Sequence, residues 1–191
     1  PFFIFGFLMT TYPRWMNGPL VPRWAFTDQA VLDKEREEIF GRCWLYVGHA
    51  SEIPKAGDFV ARKVGGRQLF LWRGEDGVPK VYFNTCTHRG AMVCREKQGN
   101  AKRLTCPYHF WVYDTEGKLV GIPGKEGFAD LDVDGLIEYP TAERAGAVFA
   151  TLTVGATLDI DEWLGDMQSA LEMLNLTKLH RHDVETKLPS G

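Results

Sequence analysis

The stretch FVARKVGGRQLFLWRGEDGVPKVYFNTCTH, residues 59–88, decides the reading of the fold. Phe59–Val64 and Gln68–Trp72 are rich in β-branched and aromatic residues and flank Gly65-Gly66, the composition of a tight hairpin turn. Glu75-Asp76-Gly77 marks a second turn, and Val78–Thr85 a third strand. Working outward, Arg103–Thr105, Trp111–Asp114 and Lys118–Ile122 read as short strands, the last two joined by Thr115-Glu116-Gly117, and Ala147–Val154 is a further β-rich run. Seven short strands separated by glycine turns argue for a small antiparallel barrel or sandwich. Helices flank this β region. Thr27-Asp28 can cap a helix over 28–42 with apolar Val31, Ile39 and Phe40, and Trp163, Leu164, Met167, Leu171 and Leu174 set a helical period from Asp161 to about His180. The expected class is therefore mainly β with flanking helices, without internal repeats.

The chain has 191 residues, 45% hydrophobic and 25% charged, which excludes wholesale disorder and collagen-like repeats. Its 22 basic and 25 acidic residues give a net charge of −3 with no basic block, which argues against a nucleic-acid partner. The longest apolar run, Pro1–Met9, is far short of the roughly 20 residues of a membrane helix and lacks the flanks of a secretory signal. A cytoplasmic location without a membrane partner is expected. The natural start is expected at Met9, or the chain is a fragment; its stop at Leu188-Pro189-Ser190-Gly191, just after a helix-like segment, suggests a further C-terminal part.

Four cysteines are too few for a disulfide scaffold, and two of them sit beside histidines. Cys86-Thr87-His88 closes one strand, Cys106-Pro107-Tyr108-His109 follows another, and seventeen residues separate His88 from Cys106. Each segment offers one thiolate and one imidazole to a shared centre, so two loops at neighbouring hairpin tips supply four donors. Three readings compete. The cysteines are simply buried and the histidines incidental; or the four hold a tetrahedral zinc, although zinc fingers usually pair like with like; or two thiolates hold one iron and two imidazoles the other in a Rieske 2Fe-2S cluster, which asks for such mixed pairs.

NTCTHRGAMVC (84–94) and CPYHFWVYDTEGKLVGIP (106–123), approached through RCWLYVGHASEIPKAGDF (42–59), resemble the Rieske domain of aromatic ring-hydroxylating oxygenases, large (alpha) subunit, over about 24–155. The resemblance implies that Cys86, His88, Cys106 and His109 bind the 2Fe-2S cluster. It implies a Rieske-type small antiparallel β-barrel/sandwich with a cluster-binding subdomain, plus incomplete parts of an α+β catalytic domain: an N-terminal extension and helix over 1–43, the Rieske domain over 44–155, and the beginning of a catalytic domain over 156–191. Respiratory Rieske proteins resemble this chain in their ligands but add a disulfide, whose cysteines would fall at Ala91 and Tyr108. Small Rieske ferredoxins lack the helical preface and tail. Phe110 departs from the family, which often has a small residue there.

The implied function is electron transfer within a ring-hydroxylating dioxygenase. NADH-derived electrons would arrive through a reductase, a ferredoxin or both. They would pass, by way of a carboxylate on a neighbouring subunit, to a mononuclear Fe(II) that activates O2 against an aromatic substrate. A small (beta) subunit and a homo-oligomer are implied partners. The alternatives are a stand-alone Rieske-type ferredoxin carrier and a zinc-stabilised interaction module. The mononuclear iron needs two histidines and a carboxylate, and that site is expected in the missing C-terminal part. His180 and His182, beside Asp183, would point about 200° apart on a helix and are read as helix-end residues. His49 is read as a core or surface histidine.

Two neutral imidazoles make the cluster easier to reduce than an all-thiolate one, moving the potential from about −400 mV to roughly −150 to +300 mV. Tyr108, Phe110, Trp111 and Tyr113 crowd the second motif, either as a shield over the cluster or as ordinary hairpin packing. Gly90, Gly117 and Gly121 are expected in turns, Cys43 and Cys94 as free thiols, and Arg89 either against a partner or in solvent.

Overall fold

The computed structural model describes residues 21–128 and 135–180. The chain divides into two compact units, Pro1–Ile39 and Phe40–Gly191. In the first unit a short helix α1 (Trp24–Thr27) leads into α2 (Gln29–Glu35). The Asp28 carboxylate accepts from the Ala30 N–H at 2.8 Å, so the helix starts at the cap expected from the sequence. Its C-terminal part is not α-helical: a π-helical turn, Arg36–Phe40, replaces the last turns of the expected 28–42 helix.

The second unit is mainly β. Its strands are β1 (Trp44–His49), β2 (Asp58–Val64), β3 (Arg67–Arg73), β4 (Pro79–Phe83), β5 (Gln98–Asn100), β6 (Arg103–Thr105), β7 (Val112–Asp114), β8 (Leu119–Gly121), β9 (Glu138–Tyr139), β10 (Thr141–Arg144) and β11 (Ala147–Thr151). They form three antiparallel sheets, ordered β5-β2-β3-β4-β9, β1-β11-β10 and β6-β7-β8. Gly65 and Gly66 turn the β2–β3 hairpin with φ of +56° and +85°, the double left-handed geometry that keeps the turn in step with strand twist. Gly121 is not in a turn; it ends β8 opposite Val112.

The central sheet is covered on both faces, and this explains the unbroken apolar run of β3. Leu69 and Leu71, with Val60 and Val81, pack against Val47, Val148 and Ala150 of the β1-β11-β10 sheet. Phe70 and Trp72, with Phe59 and Tyr82, point the other way and pack with Cys86, Cys106, Trp111 and Tyr113. Each large apolar side chain so buried contributes about 1.5–3 kcal/mol relative to exposure. An aliphatic layer and an aromatic-rich layer therefore back onto opposite faces of one sheet, and the two Cys/His segments rest on the aromatic one.

Helix α3 (Ile160–Leu164) lays Ile160 and Leu164 against Trp44, Ala147 and Phe149 on the outer face of β1 and β11. The single helix expected from Asp161 to His180 is instead three short pieces. Gly165, at φ +50°, stops α3; α4 (Met167–Met173) follows; Asn175, at φ +53°, precedes a 3-10 turn, Leu176–Lys178. The apolar period runs across these breaks, but two residues in left-handed backbone interrupt the hydrogen-bond ladder. His182 and Asp183 lie outside the described residues. His49 is a structural residue: its Nδ1 pairs with Ser51 Oγ at 2.8 Å and its Nε2 with the Leu176 carbonyl at 3.0 Å. Among the described residues no helix is long and apolar enough to cross a membrane.

Candidate metal centre

The first Cys/His loop leaves β4 through Asn84; the second joins β6 to β7, where Thr105 pairs with Val112. Only the second is a hairpin tip, so the expectation of two neighbouring hairpin tips is corrected: the first loop returns through 92–97 to β5. Asn84 braces it there. Its side-chain amide donates to the Cys94 carbonyl at 2.7 Å, and its side-chain oxygen accepts from the Cys94 N–H at 2.8 Å.

The two loops close with the same backbone bonds. The Cys86 N–H donates to the Ala91 carbonyl at 2.7 Å, and the Gly90 N–H to the Cys86 carbonyl at 2.9 Å. In the second loop the Cys106 N–H donates to the Trp111 carbonyl at 2.8 Å, and the Phe110 N–H to the Cys106 carbonyl at 3.0 Å. Both closures need a left-handed residue before the last, which is Gly90 at φ +73° in one and Phe110 at φ +59° in the other.

This closure turns both cysteines inward. Cys86 and Cys106 are buried, 2% and 1% exposed, and their thiols interact with each other. Burial pushes the Cys86 thiol up, and the Tyr113 hydroxyl pulls it back. The His88 and His109 rings meet edge to face with centroids 4.5 Å apart. Desolvation holds His88 below the usual imidazole range, with His109 and Arg89 adding to the effect. The fold thus brings thiol to thiol and imidazole to imidazole.

One atom tests whether these donors suit a metal group. His88 Nδ1 is shielded from solvent and has no hydrogen-bond partner. A polar nitrogen left so costs about 1–3 kcal/mol, a cost that a coordinate bond removes. Among the described residues, no three His, Cys, Asp or Glu side chains are placed to close on a single metal ion. A 2Fe-2S group asks less of each iron, two protein donors apiece. The donor set and the orphan nitrogen fit that group.

Several neighbours escaped the sequence reading, or were read there only as a shield over the cluster or as hairpin packing. Tyr113 is fully buried, and its hydroxyl lies 3.1 Å from Cys86 Sγ and 3.1 Å from Thr87 Oγ1 while accepting from the Thr87 N–H at 3.3 Å. Burial drives its pKa well above the usual tyrosine range, so it stays protonated as a donor. Trp111 stacks on His88 with centroids 4.6 Å apart and planes 10° from parallel, and Phe128 meets both rings edge-on. Nothing in the local pattern of Phe128 pointed to the site, because it arrives from a 3-10 turn, Lys125–Phe128. Tyr108 leans on His109 at 3.8 Å and is exposed, as is Phe110. Cys43 and Cys94 are free thiols, as expected; burial raises Cys94 to about 11, so it stays neutral.

The Rieske [2Fe-2S] domain family profile matches residues 43–140. The chain is 40% identical over 166 residues to biphenyl 2,3-dioxygenase subunit alpha of Rhodococcus jostii, a match covering 85% of this chain and 36% of that protein. It is 39% identical over 170 residues to N,N-dimethyl phenylurea N-demethylase subunit alpha of Sphingobium sp., covering 86% and 36%. Among solved structures, naphthalene 1,2-dioxygenase from Rhodococcus sp. superposes with a TM-score of 0.74 at 36% identity, covering 81% of this chain and 36% of that one. The chain thus spans about a third of the length of the curated relatives it matches.

Proposed function

This chain belongs to the Rieske 2Fe-2S domain family, and from that premise we propose that it is the electron-transferring portion of the large subunit of an aromatic ring-hydroxylating dioxygenase. In this reading Cys86 and Cys106 hold one iron and His88 and His109 the other. The observation that carries it is the pairing of buried thiols and touching imidazoles around His88 Nδ1, a nitrogen with no other partner. Bound there, the group supplies one-electron transfer at roughly −150 to +300 mV.

The chain's own residues set the conditions. Trp111, Tyr113 and Phe128 wall the first loop's donors with aromatic surface, which keeps water from the inner side. With Cys86 as a thiolate, which can only accept, Tyr113 would donate its hydroxyl proton to Sγ, and such a bond would favour the more negative, reduced state. His88 and His109 are both half-buried; exposed Arg89 and Gly90 follow the first, and exposed Tyr108 and Phe110 flank the second, so both imidazoles lie at the surface of the unit.

Electrons would come from an NADH-dependent reductase, directly or through a ferredoxin, in the cytoplasm. They would leave for a mononuclear iron carried by the part of the protein that the longer relatives possess, where O2 and an aromatic substrate react. A beta subunit and a homo-oligomer belong to the same proposal. Two relatives bear dioxygenase names with biphenyl and naphthalene as substrates. Similarity covering 85% of the chain, well beyond 43–140, favours an oxygenase part over a free-standing carrier.

Anaerobic reconstitution with iron and sulfide tests the cofactor assignment. A brown protein with two irons per chain and a rhombic paramagnetic signal on reduction is the expected result. A colourless chain that takes up one zinc and gives no signal would overturn it.

A further inference from the structure

Trp111 belongs to the second loop but spends its side chain on the first. Its carbonyl closes its own loop by accepting the Cys106 N–H, while its indole lies flat on His88, 4.6 Å between centroids and 10° between planes. The indole is buried, 2% exposed, within the aromatic layer on the central sheet, so it is held from behind. Phe128 stands edge-on to the His88 ring at 5.9 Å and to Trp111 at 5.6 Å. His109 touches the His88 ring from a third direction. An imidazole bounded in this way has little freedom to turn about its χ2 bond, and the nitrogen that would otherwise seek water, Nδ1, is kept dry and unpaired. His109 lacks such a clamp: its closest ring neighbour besides His88 is Tyr108, itself more than half exposed.

We infer that Trp111, backed by Phe128, is a positioning residue that orients His88 before any metal arrives, so that the first loop's imidazole is pre-set while the second loop's adapts. This deepens the proposed function and rests on His88 being a ligand. In its absence a free imidazole would have to find its orientation during assembly; groups that fix a ligating histidine by hydrogen bonds are worth about 10- to 100-fold in metal affinity, and a stacked ring that restrains the same torsion acts in the same direction.

The experiment uses the full chain with Trp111→Leu, Trp111→Phe and Phe128→Leu, each checked for folding by circular dichroism. Proton NMR of the metal-free chain comes first. The His88 ring protons are expected to sit upfield through the indole ring current, to lose that shift in Trp111→Leu, and to keep part of it in Trp111→Phe. After reconstitution with iron and sulfide, pulsed EPR of the reduced protein reads the two imidazole nitrogens separately. One coupling is expected to broaden or shift in Trp111→Leu and to return in Trp111→Phe, with cluster loss to a chelator about tenfold faster in the leucine variant. Phe128→Leu removes only the edge contact and is expected to give a smaller change of the same kind, which keeps the test informative where Trp111→Leu fails to fold. Unshifted His88 protons in the metal-free chain would overturn the inference. So would folded variants whose nitrogen couplings and chelator resistance equal the parent's. A parent chain that takes up no cluster, yet shows the upfield His88 protons, would overturn the cofactor assignment while leaving the indole clamp standing.

Discussion

In the loop at 86–91 and the loop at 106–111 the cysteine N–H binds the carbonyl five residues on, and the cysteine carbonyl receives the N–H four residues on. The side chains hung on this shared backbone are unlike. At the left-handed position one loop has Gly90 and the other Phe110; at the closing position one has Ala91 and the other Trp111. The second loop and the strand it enters give away their aromatic groups: Trp111 to His88, and Tyr113 to Cys86. The first loop is held by these groups and by Asn84, whereas the second holds itself as a hairpin tip between Thr105 and Val112. Equal backbones thus carry unequal duties: each loop buries its cysteine and half-buries its histidine, but only the first loop's pair is clamped by aromatic groups lent from the other loop and its strand.

The largest effect should come from changing donors, because it alters both the charge on the irons and the clamp. His109→Cys is expected to keep a cluster, or part of one, with its potential lowered toward the roughly −400 mV of all-thiolate centres. His88→Cys adds the same charge but also empties the space under Trp111, so it should retain less cluster per folded chain than His109→Cys. Iron analysis and an EPR-monitored redox titration check both. An unchanged potential in His109→Cys would contradict the asymmetric ligand set, and equal cluster yields would erase the difference between the loops.

Tyr113→Phe removes the one hydroxyl that crosses from the second loop's strand to the first loop's sulfur. A hydrogen bond to a charged acceptor is worth about 1.5–3 kcal/mol net, and only the part that grows on reduction reaches the potential. The expected shift is downward by several tens of millivolts, on a scale where about 59 mV is a factor of ten for one electron. The variant should also lose about 1 kcal/mol of stability, since the Thr87 N–H and hydroxyl lose their partner. A potential equal to the parent's would mean that the Cys86 contact is packing alone.

Much of this was legible in the sequence, and the unread parts have physical reasons. The β2–β3 hairpin announced itself through Gly65-Gly66, and the four donors through their mixed spacing. Strand β1 did not read as a strand, because its register shifts between Tyr46 and Gly48, so its apolar residues do not alternate. Strand β5, Gln98–Asn100, is exposed throughout and carries no apolar signal. The helical period of the tail was real, but Gly165 and Asn175 cut it. At the site, the equivalence of the two loops was hidden. His88 stands two residues after its cysteine and His109 three, and Gly90 and Phe110 do not look like the same position until the backbone bonds are seen. The partners Asn84 and Phe128 were out of reach, since each depends on a segment folding back from elsewhere.

Gly90→Ala tests the left-handed position where the sequence agrees with the backbone. A Cβ there meets no atom within 4 Å, so the whole penalty is conformational. A left-handed residue with a side chain costs roughly 1–2 kcal/mol, partly offset because alanine loses less chain entropy on folding than glycine. A net loss of about 1 kcal/mol is expected from urea unfolding of the metal-free chain. No loss at all would show that the first loop does not depend on glycine in the way its φ implies.

Phe110→Gly asks the converse question and should give the smallest change, with the opposite sign. Phe110 sits at φ +59° with its side chain 61% exposed, so its removal sacrifices little buried surface. Glycine relieves the same roughly 1–2 kcal/mol of backbone strain, but the more flexible unfolded chain takes back about 0.5–1 kcal/mol. The expected gain is therefore about 0.5 kcal/mol, a rise of about 1–2 °C in Tm. Phe110→Ala separates strain from side-chain loss: it keeps the left-handed Cβ and should gain nothing. If glycine and alanine stabilise equally, the exposed ring itself is the cost. If both destabilise, the ring packs on His109 more firmly than its exposure suggests, and the second loop is as clamped as the first.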